Sequence, residues 1–303
     1  MNVPSSVGPE GLGKNSSAAL ADGAPAPSAP AAGAEADNTT AQARTSAREA
    51  RCTRRHYNLQ GVPRNFVKFT FLKVDPAWRR LDPPQREQHK REFLAACENF
   101  GADRFLRAFS LVGTRGDTDL LLWSSAPGLA DIHEFHVVLG QSGLMGWAET
   151  PYSYLAMTKE SEYSEEERLE LRTSERKYLF VYPFWKQRDW YRLPGPERMR
   201  IMREHIEIGQ RYPTISINTT YSFGLDDQEF VVAFETDEPG DFLDLVQELR
   251  GSESSSYTLR DTPIFTCISS SVRHALDALD GESPMTASTE GNGLARAPAV
   301  DRA

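Results

Sequence analysis

The sequence predicts an α+β fold made of two similar β-α-β-β-α-β units in tandem. Three observations carry this. Strand-like and helix-like segments alternate between residues 65 and 267. The second half runs through the same order of elements as the first. The halves also align locally, "GDTDLLLWSSAPGLADIHEFHVVLG" (116–140) beside "GLDDQEFVVAFETDEPGDFLDLVQELRG" (224–251). Such a repeat predicts two ferredoxin-like units.

In the first unit, "NFVKFTFLKV" (65–74) is strand-like, rich in β-branched and aromatic residues. "PPQREQHKREFLAACENF" (83–100) is helical, with proline at its start and Phe93, Leu94 and Cys97 at helical spacing. "RFLRAFSLVGT" and "TDLLLWSSA" are two strands around the turn "GTRGD". "LADIHEFHVVLG" is a helix that stops at Gly140. "GWAETPYSYLAMT" supplies the last strand.

The second unit repeats this. "KYLFVYPF" (177–184) is a strand and "GPERMRIMREHIEIGQRY" a helix. "TISINTTYSFG" and "QEFVVAFETD" are strands around "GLDD", which reads as a tight turn rather than a metal loop. "PGDFLDLVQELRG" is a helix, with Asp241 expected as its cap and Gly251 as its stop. "TPIFTC" closes the set. Each antiparallel sheet would have one face covered by helices. The other faces would meet in a shared core or enclose a ligand.

Residues 1–55 are Ala, Pro, Gly and Ser with almost no large apolar side chain, as in "AALADGAPAPSAPAAGAEADNTTAQA". Such a tail buries too little surface to offset chain entropy, and it reads as disordered. Residues 276–303 read the same way. The folded part is therefore expected at about 56–275, with a first repeat at about 60–158 and a second at about 177–272. Between them, "KESEYSEEERLELRTSER" (159–176) is a charged linker with a wet surface.

The chain has 303 residues, 39% hydrophobic and 25% charged, with a formal net charge of -9. That balance argues against a general nucleic-acid binder. The cysteine count is odd, and Cys52, Cys97 and Cys267 show no CxxC spacing. A disulfide framework, a zinc site and covalent haem attachment are disfavoured. No segment reaches membrane-spanning length, and the N-terminus has no apolar signal core. A cytoplasmic protein is the expectation.

One helix raises a chemical question. Ile201, His205, Ile208 and Tyr212 form a single stripe, while Arg200, Arg203, Glu204, Glu207 and Arg211 fall elsewhere. An imidazole on that stripe is either a core histidine bonded to a nearby carbonyl or an iron or other metal ligand. The densest cluster of unusual residues lies just upstream, in "YPFWKQRDWYRLP" (182–194). Tyr182, Phe184, Trp185, Trp190 and Tyr191 interleave with Lys186, Arg188 and Arg192. Aromatic and cationic groups together suit a large flat anion, with rings packing on rings and cations holding carboxylates. An aromatic strand end followed by a charged hairpin is the plainer reading.

"KYLFVYPFWKQRDWYRLP", "REHIEIGQRYP" and "SFGLDDQEFVVAFE", in that order, resemble the chlorite dismutase-like superfamily. Within it they are most similar to the coproheme decarboxylase branch, peroxide-dependent enzymes that make haem b from iron-coproporphyrin III. The matching motifs span about 177–266; the first half is similar in layout only. The resemblance implies tandem ferredoxin-like repeats forming a dimeric α+β barrel, with porphyrin in the C-terminal repeat. His205 then corresponds to the proximal iron ligand, and Glu253 to a glutamate that takes the ring's other nitrogen in relatives. Tyr182 corresponds to the tyrosine that becomes the catalytic radical and removes hydrogen from a propionate β-carbon. Lys186 corresponds to a lysine that grips a propionate, Arg250 and Ser255 to a pair that holds another, and Trp190 to a pocket tryptophan. Haem or iron-coproporphyrin III is the implied cofactor, hydrogen peroxide the co-substrate, and a homopentamer the implied assembly, with no nucleic acid or membrane involved.

The chain departs from the pattern in one respect. "TISINTTYSFG" has no arginine where chlorite dismutases carry a distal one, the corresponding positions being Ile217 and Asn218. Chlorite chemistry is thereby disfavoured, and no histidine lies between 159 and 181 to replace it as a distal base. A non-catalytic haem carrier or sensor is the alternative function. His133 and His136, three apart on a helix, have no third ligand in sight, and His89 and His274 read as surface residues.

Overall fold

The computed structural model describes residues 64–161, 163, 171 and 174–282. The expected N-terminal tail, the end of the C-terminal tail and most of the linker lie outside the described residues.

The first half runs β1 (Phe66–Val74), α1 (Pro83–Gly101), β2 (Phe105–Ser110), β3 (Leu120–Ala126), α2 (Leu129–Leu139) and β4 (Ala148–Met157). Asp82 caps α1 by accepting from the Gln85 amide at 2.8 Å, ahead of two prolines whose missing amides cost the first turn nothing. The second half runs β5 (Tyr178–Lys186), a short α3 (Arg188–Arg192), α4 (Gly195–Gln210), β6 (Ser216–Tyr221), β7 (Phe230–Thr236) and α5 (Pro239–Arg250). It ends in β8 (Thr258–Arg260), β9 (Phe265–Ser270) and α6 (Val272–Leu279). In both halves the second long helix leads into a 3₁₀ turn before the next strand, Gly143–Trp147 in one and Glu253–Tyr257 in the other.

Asp241 does not cap α5. Glu238 occupies that position without a side-chain bond, and the Asp241 carboxylate instead takes the Thr214 hydroxyl. The "GLDD" turn forms as expected, with Gly224 at φ +72°, a conformation open to a residue without Cβ.

The strands order as β7-β6-β4-β1-β3-β2-β9-β5-β8, and β7 pairs with β5 as well. The row therefore closes into a ring of eight antiparallel strands, with β8 as an extension. Each half supplies four strands. One seam joins β2 to β9 over Ala108–Ser110, and the other joins β4 to β6 through Met157 and Tyr221.

Strand alternation sends every second side chain inside the ring. Val67, Phe69, Phe71, Phe109, Leu121, Trp123, Val181 and Phe265 pack there with no exposed surface, together with Tyr154, Leu179 and Cys267 among others. Phe71 stacks on Phe265 at 4.0 Å between centroids, and Phe69 on Trp123 at 5.4 Å. Burying each such ring contributes about 2–3 kcal/mol. The interior is thus a packed core, and a large ligand must use an outer face. On the first half that face is sealed by α1, α2 and α6 over Trp78, Phe93, Phe100, Leu122 and Phe135. On the second half α4 and α5 cover a smaller cluster, Phe180, Ile208, Val232, Phe234, Phe242 and Leu245.

The folded part extends beyond the boundary expected at 275. Ala275, Leu276 and Leu279 of α6 are buried against the first-half core. Lys90 of α1 is 1% exposed, and its ammonium meets Asp277 at 3.1 Å and Asp280 at 2.6 Å. His89 is half-buried, accepting from Trp78 Nε1 at 3.2 Å, and so is not the surface residue expected. His274 is exposed. Among the described residues no helix is long and apolar enough to cross a membrane.

Candidate functional site

The partly open outer face of the second half gathers most of the residues singled out above. On β5, Leu179 and Val181 point into the ring core, so Phe180, Tyr182 and Phe184 point outward under the helices. Their partners across β7 are Phe234, Val232 and Phe230. Tyr182 stacks on Phe234 at 5.7 Å, with the planes 18° apart. The third strand adds Ile217, paired with Phe234, and Thr219, paired with Val232. Ile217 and Thr219 are exposed, whereas Asn218 is buried on the opposite face. Of the two positions considered for a distal group, only Ile217 lies on this wall, and it offers no proton and no charge.

Helix α4 presents Ile201 and Ile208 as fully packed residues, with His205 half-buried between them. The spacing that marks the stripe in the sequence holds. His205 Nδ1 lies 3.1 Å from Ser254 Oγ. Burial, reinforced by the nearby Lys186 charge, pushes the imidazole down to about 4. It is therefore neutral near pH 7 and carries a nitrogen lone pair.

Glu253 does not take the role expected for it. Its carboxylate holds Arg200, at 2.8 and 2.9 Å, on the exposed side of α4. A guanidinium fork within reach and in water satisfies a carboxylate better than a half-buried neutral ring does. The imidazole is served instead by the next residue, Ser254, which is 2% exposed. Nothing in the sequence signals this choice, because a serine in "SESSSY" looks like any turn residue.

Lys186 is buried at the end of β5. Its ammonium donates to the Ser254 carbonyl at 2.7 Å and lies 4.7 Å from the centroid of the Trp190 ring. Burial lowers it to about 8. Trp190, 3% exposed on α3, is held between that ammonium and Tyr257. Glu229 fixes this corner by accepting from the Lys186 amide at 2.8 Å and the Tyr191 hydroxyl at 2.6 Å. It lies within the "SFGLDDQEF" stretch, but no spacing there points to its partners Lys186 and Tyr191.

Arg250, at the end of α5, is half exposed and pairs with Asp261. Both sit close enough to Tyr182 to act on its phenol, Asp261 raising and Arg250 lowering its pKa; burial is the larger cause and holds it well above the ordinary phenol range. Ser255 is half-buried in the same 3₁₀ turn, and its amide donates to the Ser252 carbonyl at 3.1 Å.

The donor set suits an iron-porphyrin carboxylate. A neutral imidazole with one nitrogen committed to a hydroxyl leaves the other for the metal. An aromatic wall lies beside it, and Lys186 and Arg250 supply cations.

His133 and His136 line a separate open cleft of about 560 Å³ with Lys68 and Leu155. His136 contacts the Thr70 hydroxyl and the Ile132 carbonyl, both at 2.8 Å, which occupies both ring nitrogens. No group of three or more His, Cys, Asp or Glu suited to a metal occurs among the described residues. Cys97 and Cys267 are buried and unpaired.

Comparison with known proteins decides the family. The model of the chlorite dismutase family matches residues 86–270, more than half of the chain. The chain belongs to the chlorite dismutase family. A coproheme decarboxylase from Mycolicibacterium smegmatis is 28% identical over 205 residues, 66% of this chain and 88% of that protein. Chlorite dismutase from Candidatus Nitrospira defluvii, solved in complex with imidazole, superposes with a TM-score of 0.67 at 23% identity, covering 75% of this chain and 99% of the other. A haem-binding protein from Thermus thermophilus gives 0.65 at 25% identity, covering 72% and 95%.

Proposed function

We propose that the protein binds iron-coproporphyrin III against the β5–β7–β6 wall and decarboxylates two of its propionates with hydrogen peroxide, giving haem b. The observation that supports this best is the grouping of Tyr182, Lys186 and His205 on one face. The 28% identity to a coproheme decarboxylase supports the substrate class.

Each turnover balances as one propionate, one hydrogen peroxide and one proton giving one vinyl group, carbon dioxide and two waters. The iron-porphyrin supplies the peroxide-driven oxidising equivalents. His205 binds the metal through its free nitrogen. Lys186 and Arg250, with Ser255, hold carboxylates, and Trp190 and Phe234 wall the ring. Tyr182, once the first oxidising equivalent has taken its phenol proton and one electron, would take a hydrogen atom from the propionate β-carbon. The electron left on that carbon would go to the second equivalent as carbon dioxide leaves. At rest its raised pKa keeps Tyr182 a neutral phenol. Ile217 is no base, so water or a propionate carries the proton that peroxide needs.

The apolar Ile217 favours one second reading, a haem carrier or sensor without turnover. Mass spectrometry separates the two. Iron-coproporphyrin incubated with protein and peroxide should lose two carboxyl groups, with two peroxides consumed. Unchanged porphyrin mass with tight haem b binding would establish the carrier instead. We also propose that the protein works in the cytoplasm as a homo-oligomer, a pentamer by likeness to its family.

A further inference from the structure

The hydrogen-bond path behind His205 has a direction that the geometry sets. Ser252 Oγ lies 2.7 Å from the Leu249 carbonyl, which only accepts, so the single Ser252 hydroxyl proton is spent there. Ser252 Oγ also lies 3.2 Å from Ser254 Oγ and must accept from it. The Ser254 proton is then spent too. Ser254 Oγ therefore accepts from His205 Nδ1–H at 3.1 Å. The chain of donors ends on the Leu249 carbonyl in the last turn of α5, which also accepts from the Ser252 amide at 3.1 Å and so takes two donors beyond the helix's own ladder.

The internal repeat shows which of these serines is specialised. In the first half Ser142 Oγ donates to the Leu139 carbonyl at 2.8 Å, the counterpart of Ser252 on Leu249. Two residues on, however, the first half has Leu144, fully buried in the helix-covered core. The second half has Ser254 at that place, 2% exposed and turned to the imidazole. The cap is common to both halves, and the second hydroxyl occurs where a histidine faces it.

We infer that Ser254, oriented by Ser252, is the positioning residue that fixes His205 as its Nδ1–H tautomer with Nε2 free, through neutral hydroxyls and without a carboxylate. The inference rests on the reading of His205 as the iron ligand. A neutral acceptor pulls the Nδ1 proton less strongly than a carboxylate does and leaves the ring less anionic, so a metal held by it would keep a higher Fe(III)/Fe(II) potential.

The test has an arm without porphyrin and an arm with it. In the apo full-length chain at neutral pH, nitrogen-15 NMR of the His205 ring should show one Nδ1–H tautomer. Ser254→Ala, which leaves the Ser254 carbonyl and its bond from Lys186 in place, should lose that single-tautomer signal. Ser254→Thr should restore it, and Ser252→Ala should weaken it. An Nε2–H ring in the parent chain, or a Ser254→Ala spectrum identical to the parent's, would overturn the inference. In the porphyrin-loaded chain, Ser254→Asp should lower the midpoint potential and raise the iron–histidine stretching frequency, and Ser254→Ala should move both the opposite way. Equal values in all three proteins would also overturn it. Failure of the parent to bind iron-porphyrin would remove the ligand reading, while the apo spectra would still decide the hydroxyl path.

Discussion

Lys186 and Ser254 are tied by a 2.7 Å hydrogen bond from the ammonium to the carbonyl, and the hydroxyl of that serine faces His205. One residue thus links the buried cation to the imidazole. Repulsion between Lys186 and a protonated ring is one reason His205 stays neutral. The arrangement suits a site that binds an anionic ligand above a neutral nitrogen.

The buried ammonium costs the empty fold stability. Lys186→Met keeps the length and removes the charge, and should stabilise the apo protein by about 1–2 kcal/mol near pH 7, seen as a higher Tm. The pH dependence gives a second check. The folded Lys186 titrates at about 8, below the usual 10.5, so between those values the unfolded chain holds more protons. Stability should rise with pH across that window in the parent protein, and this share of the slope should vanish in the variant. Porphyrin carboxylate affinity should fall roughly tenfold or more in the same variant. A less stable variant with unchanged affinity would contradict both parts.

Ile217 governs a second expectation. With an isoleucine on the β6 wall and Asn218 turned away, this strand offers no guanidinium to position chlorite or retain hypochlorite. Oxygen evolution from chlorite should be slow and brief in an oxygen-electrode assay. Rapid, sustained evolution from the haem-loaded protein would overturn this.

Much of this arrangement is legible in the sequence. The helical stripe of Ile201, His205 and Ile208 can be read because a 3.6-residue period survives packing, and the strands because their inner and outer residues alternate. What is not legible lacks periodicity. Ser254 and Glu229 act through contacts with residues 49 and 43 positions away, at His205 and Lys186. The final helix, Val272–Leu279, runs across the expected boundary at 275 unnoticed because it is only eight residues long and follows directly on a strand. Lys90 reads as an ordinary helix-surface charge because its carboxylate partners lie 187 residues and more downstream. The misread cap at Asp241 has the same origin, since its real partner, Thr214, lies in the turn before β6.

Lys90 carries a stability prediction. Removing it takes away one of the two cations on Asp280, whose side chain is 4% exposed, and leaves Arg86 alone at 2.9 Å. Because Arg86 still compensates Asp280, Lys90→Ala should destabilise the fold by about 2–3 kcal/mol, whereas exposed lysines should be nearly neutral. Denaturant unfolding measures this. A loss below about 1 kcal/mol would show that α6 contributes little to the described fold.

The sharpest division between enzyme and carrier lies at Tyr182. Tyr182→Phe removes one oxygen and leaves the ring stacked on Phe234, so the wall keeps its shape. Binding should suffer little, since one lost hydrogen bond to a carboxylate costs about 1–3 kcal/mol. Chemistry should suffer far more, because a phenylalanine ring cannot form the phenoxyl radical that accepts the hydrogen atom in the proposed step. Among aromatic side chains that could replace it, Trp190 is buried beneath the Lys186 ammonium, where a developing positive charge is disfavoured. Peroxide should then bleach the variant's porphyrin instead of converting it. Mass spectra should show two lost carboxyl groups with the parent protein and none with Tyr182→Phe, while titration gives comparable affinities. Near-normal decarboxylation by the variant would remove Tyr182 from the mechanism. Equal inactivity of both proteins, with tight haem b binding by both, would make the protein a carrier.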